Sequence, residues 1–213
     1  MMFSFNEPDN SGQSDIAPSE AAALWPTLET IASAYDLELV APCVTNSNKG
    51  SHSPPTTPFS SQSHFSFCRP ASHTPGRPWL EQFLGNCSSN VSGKCSYDYT
   101  CMHSYKSRSS AASGDFIGDI EAMHASFPSD GGIIVNEFAC ADTSDGIWSI
   151  CDFDENLAFM LDAVPALLAS SSVARFAWYA TRPSDGSRLF VDGEADLNDL
   201  GKQYRSFIDG AAG

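Results

Sequence analysis

Basic residues are scarce in this 213-residue chain: 11 Lys and Arg stand against 26 Asp and Glu, a formal net charge of −15. Nucleic-acid binding needs clustered cations to neutralise phosphates, so that class is excluded. Also missing is any run of about eighteen apolar residues, which leaves nothing to span a membrane. The apolar start Met1-Met2-Phe3-Ser4-Phe5 has no basic flank and no small-residue cleavage site, and it reads as a strand rather than a signal peptide. No Cys-x-x-Cys and no compact Cys/His cluster occurs, which argues against a metal site. What is present is globular. Hydrophobic residues make up 42% and aromatics 11%, enough at this length for a substantial core. An acidic chain of this kind is compatible with a neutral polymer such as a polysaccharide, held by stacking and hydrogen bonds rather than by net charge.

Seven cysteines exceed ordinary cytosolic use. Cys87 and Cys95 enclose a short polar loop, and Cys140 and Cys151 bracket another, so each pair is expected to be a disulfide formed in an oxidising compartment. Free thiols of a cytosolic protein are the alternative. Cys101, on an apolar strand, reads as a buried free thiol.

Strands are expected at 2–5, 38–44, 97–102, 133–135 and 173–179. Helices are expected at 21–35 (opened by Pro18), 79–87, 115–127, 154–168 and 199–208. Strict alternation of strand and helix implies a parallel sheet with helical crossovers, and apolar strands with polar ends suit a (β/α) barrel. Residues 46–78 break the pattern. They carry six of the 13 prolines and three of the five histidines, no acidic residue, and the cations Lys49, Arg69 and Arg77. Such a composition cannot bury a core, and a disordered insertion or a translated intron is expected there, with the catalytic domain formed by 1–45 and 79–213.

Two strand ends share one arrangement. Asn6-Glu7-Pro8 follows Met2–Phe5, and Asn136-Glu137-Phe138 follows Ile133–Val135. A buried Glu is costly unless paired or used. For Glu7 alone, a helix-capping role would serve as well. Two such glutamates on strands of one sheet instead point to glycosidic cleavage, which needs one carboxyl to protonate the leaving oxygen and one to attack.

The order of motifs around these glutamates resembles glycoside hydrolase family 128, the alkali-sensitive-linkage type, whose members are β-1,3-glucanases in the Asn-Glu-Pro clan of TIM barrels. The residues that carry the likeness are Phe5-Asn6-Glu7-Pro8-Asp9 with Ala21–Pro26, Leu39–Pro42, Trp79–Leu84, Tyr97–Tyr99 with His103-Ser104-Tyr105, Ile134–Cys140, Arg175–Tyr179 and Asp196–Tyr204. The resemblance implies an α/β chain of the TIM (β/α)8 barrel family, N-terminally truncated so that strands four to eight only are present. Five strands would leave two bare edges, from which poor solubility and weak activity are expected. The resemblance further implies Glu7 as acid/base and Glu137 as nucleophile, with burial and its negative neighbour raising the pKa of Glu7. Asn6 would bind the sugar 2-hydroxyl, Tyr105 would orient Glu137, His103 would line the cleft and Trp178 would stack under a sugar. Ser104 stands where the family usually has an aromatic, which would remove stacking surface. No cofactor and no metal is implied. The partner is a β-glucan substrate acted on by a monomer, outside the cell or in the cell wall. The rivals are a glucan-binding wall protein on a degenerate barrel, and another clan activity on a β-1,4-linked glycan.

Overall fold

Five short apolar segments become parallel strands, each followed by a helix that covers the same side of the sheet. The computed structural model describes residues 1–45, 76–90, 93–142, 149–180 and 186–211. In chain order the elements are β1 (Met2–Phe3), α1 (Pro18–Ala34), β2 (Leu39–Val40), α2 (Arg77–Cys87), β3 (Thr100–Lys106), α3 (Arg108–Ala112), α4 (Asp115–Ser126), β4 (Ile133–Asp142), β5 (Ser149–Ile150), α5 (Phe153–Ala169), β6 (Val173–Trp178) and α6 (Asp199–Ala211). β1 pairs with β2, β3 with β4 and β4 with β6, all in parallel. Bridges at Val40–Tyr99 and Val44–Met102 join β2 to β3. β5 folds back antiparallel on the far end of β4. The expected alternation is therefore present. The sheet is open, however, with β1 and β6 at its two edges among the described residues.

Local chemistry explains the helix boundaries. Pro18 sits in the first turn of α1, where its missing N–H costs nothing. Pro26 inside the same helix cannot donate to the Ala22 carbonyl, and the Asn90 side-chain amide supplies that bond at 3.1 Å. α5 opens on a capping box between Asp152 and Glu155. α2 begins at Arg77, inside the stretch read as an insertion, so that boundary moves to 75 at most; residues 46–75 lie outside the described residues. Positions 45 and 76 abut. A Cβ at Gly76 would lie 2.3 Å from the Thr45 carbonyl oxygen, so glycine is required there.

Each strand sends alternate residues to two layers. The helix-facing layer holds Trp25, Leu80, Phe83, Met102, Phe116, Ile133, Val135, Phe138, Phe159 and Leu167, all essentially buried. Trp25 and Trp79 pack between α1 and α2, with Trp79 stacked on Phe83 at 5.6 Å. The opposite face carries a smaller cluster of Val40, Cys43, Tyr99, Cys101 and Ile134. Three disulfides close the chain. Cys87–Cys95 and Cys140–Cys151 pair as expected. Cys101 is not a free thiol. It is bonded to Cys43 on the adjoining strand segment, with Cα atoms 4.5 Å apart, because parallel neighbours place the two side chains on the same face of the sheet.

Candidate active site

Glu7 stands just past β1, where the chain turns sharply. Its φ of 43° lies in the left-handed region, uncommon for a residue with a side chain. The turn is fixed on both sides: the Glu7 N–H donates to Cys43 O at 2.8 Å, and the Asn10 N–H donates to Glu7 O at 3.0 Å. Asp9, 4% exposed, accepts from the Thr45 N–H and hydroxyl, tying the turn to the end of the next strand segment. Burial raises the Asp9 carboxyl above its usual range.

Glu137 reaches the same face by an irregularity. Ile133 and Val135 face the helices, and strict alternation would send residue 137 after them. Met102 pairs with Val135 but His103 pairs with Glu137, so Asn136 is an extra residue on β4. This bulge reverses the phase, turning Phe138 into the helix layer and Glu137 to the opposite face.

The two carboxylates meet around one imidazole. His103 Nδ1 lies 2.8 Å from Glu7 Oε1 and 3.3 Å from Glu137 Oε2, and the residue is wholly buried. One oxygen of each carboxylate and one His103 nitrogen all lie within 4.8 Å of one another. These three atoms could also hold a metal ion; they are the one such group among the described residues. The Tyr105 hydroxyl donates to Glu137 Oε2 at 2.6 Å. Burial and that carboxylate push the Tyr105 phenol upward, so it stays protonated and remains a donor. For Glu7 the expectation of a raised carboxyl is overturned. Burial raises it, but the hydrogen bond and charge of His103 and the Asn10 amide outweigh burial, and the group sits below its usual range.

The remaining residues sort by strand phase. Asn6 is exposed beside Glu7 and bridges Cys43 through its backbone. Trp178 is not brought to this face. It is 8% exposed, its ring lies 5.1 Å from that of Phe138, and its indole N–H donates to Ser187 O. Tyr179, one residue later, takes the place expected for Trp178, with its ring edge-on to Tyr105 at 5.6 Å. Counting alternate positions from Phe176 would have found it. Ser104 is fully buried and shares the phase of Met102, so it removes no surface from the cleft. Lys106 is ion-paired with Asp119 on α4. Sequence reasoning also passed over Asn10, whose amide donates to Glu7 Oε2 at 2.6 Å.

Residues 1–204 match the glycosyl hydrolase catalytic core family. The chain belongs to that family. Its structural neighbours narrow the assignment to glycoside hydrolase family 128. It is similar to a subgroup II endo-β-1,3-glucanase from Sorangium cellulosum, at 26% identity and a TM-score of 0.73, over 97% of this chain and 69% of that one. A second subgroup II endo-β-1,3-glucanase, from Pseudomonas viridiflava, is 25% identical with a TM-score of 0.71, over 96% and 68% of the two chains. A subgroup I enzyme from Amycolatopsis mediterranei, solved with laminaritriose, shares the fold at 23% identity and a TM-score of 0.69, over 96% and 71%. No curated protein matches the sequence. The hydrolase thus spans about two-thirds of the length of these enzymes. Among its described residues no helix is long and apolar enough to cross a membrane, and its three disulfides suit an extracellular protein.

Proposed function

We propose that this hydrolase cleaves β-1,3-glucan with retention, Glu137 serving as nucleophile and Glu7 as acid/base. The observation that carries the reading is the spacing of the two carboxylates across His103, with facing oxygens inside 4.8 Å. Retaining glycosidases hold their carboxyls roughly 5–5.5 Å apart, whereas inverting enzymes leave room for a water between them. Glu137 attacks the anomeric carbon as Glu7 gives its proton to the departing glycosidic oxygen. Glu7 then takes a proton from the water that releases the glycosyl-enzyme. Tyr105 orients the attacking carboxylate, Asn6 stands where a sugar hydroxyl would meet it, and Tyr179 offers the aromatic surface of the cleft. The β-1,3 linkage is supported by the endo-β-1,3-glucanases to which the chain is similar. The fold is read as part of a (β/α) barrel.

Proton NMR of the first product released from laminarin is the test. A β-anomer appearing ahead of mutarotation, lost in Glu137→Gln, is the expected outcome. An α-anomer would mean inversion. Binding to insoluble glucan without any release of sugar would favour the glucan-binding alternative.

A further inference from the structure

Glu7 is held by more than His103. The Asn10 amide approaches its other oxygen, Oε2, at 2.6 Å. The orientation of that amide is set by its surroundings: the Gly12 N–H donates to Asn10 Oδ1 at 3.0 Å, which leaves only the Nδ2 end to face the carboxylate. The Asn10 backbone is pinned as well, its N–H donating to Glu7 O and its carbonyl accepting from the Gln13 N–H. A fixed N–H aimed at a carboxylate favours the ionised form and opposes the protonated one.

We propose that Asn10 is a positioning residue for Glu7, holding the oxygen opposite His103 and setting how readily the carboxyl releases and recovers its proton. The inference rests on the acid/base reading of Glu7. In the first half-reaction the proton leaves Glu7 for the glycosidic oxygen as the C–O bond breaks and the Glu137–carbon bond forms. In the second, Glu7 recovers a proton from water. Asn10 stabilises the ionised state reached between those two events. The other groups that face Glu7 are His103 and Tyr105 from β3, Glu137 from β4 beyond the imidazole, and Asp9 in its own turn. Of these, His103 is hydrogen-bonded to the opposite oxygen, Oε1, so removing the Asn10 amide leaves the imidazole link intact.

The test compares the full chain with Asn10→Ala and with Asn10→Asp, the latter isosteric and usable if the alanine variant does not fold. The Glu7 carboxyl is titrated by carbon NMR of side-chain-labelled glutamate, assigned with Glu7→Gln, and kcat and kcat/KM on laminarin are followed against pH. The expected result is an upward move of both the Glu7 midpoint and the alkaline limb of kcat/KM, larger for Asp than for Ala, with kcat falling about tenfold. A Glu7 midpoint that stays in place in a folded variant overturns the inference. A midpoint that moves while the limb does not supports the Asn10–Glu7 coupling and overturns the acid/base reading.

Discussion

At Glu7 two opposing effects are weighed in one carboxyl. Burial favours the neutral acid, and the donors His103 and Asn10 favour the anion; the donors win. The consequence has a sign. The proposed first step requires a protonated Glu7, so a carboxyl held below its usual range keeps that proton only in acid. The pH–rate profile on laminarin should therefore peak on the acid side and fall as pH rises toward neutrality. Glu7→Gln should cost about 10²- to 10⁴-fold in kcat, the usual range for general acid–base assistance. Tyr105→Phe removes a donor from Glu137 while leaving the ring, and should cost about 2 kcal/mol in transition-state binding, read as kcat/KM. The two adjacent aromatics on β6 should separate cleanly. Trp178→Ala opens a hole beside Phe138 and should lower stability by about 3–5 kcal/mol in a denaturant melt. Tyr179→Ala should chiefly raise KM.

The β4 strand shows how far a sequence pattern reaches at the scale of an element. Ile133–Val135 announces a strand, and the strand is in place; Glu137 at its end, read as chemistry, stands beside Glu7 and His103. Which way Glu137 points was not legible. The signal is a single extra residue, Asn136, visible only against the partner registers of β3 and β6. Trp178 was misassigned for a different reason: alternation from Phe176 already places it in the helix layer, and that count was not applied. Cys43 and Cys101 escaped because they are 58 residues apart in sequence and become neighbours only when β2 and β3 lie side by side. The capping and proline signals at helix ends are local, so α1 and α5 were found within a few residues. Deleting Asn136 tests the bulge directly. Glu137 would then follow Val135 directly and by strict alternation still face His103, with Phe138 still in the helix layer, so the fold and the melting temperature should be kept.

Across the whole molecule, the site is assembled from strand segments far apart in sequence, and covalent bonds hold some of them together. Cys43 accepts the Glu7 N–H through its carbonyl, and Cys101 stands two residues before His103, so their disulfide couples the two halves of the carboxylate–imidazole group. Replacing both cysteines by Ala opens a loop of 58 residues, which by chain entropy amounts to about 4 kcal/mol of stability. Denaturant unfolding of the double variant against the parent measures it.

The contact between Thr45 and Gly76 bears on what this hydrolase could be made to carry. Since positions 45 and 76 lie side by side, they form a port: neither a shorter peptide nor a whole foreign domain joined between them need stretch the scaffold. The rim of that port is Thr45, the partner of Asp9 two residues beyond Glu7. A fluorescent reporter spliced between 45 and 76 would be anchored one hydrogen bond away from the turn that carries Glu7.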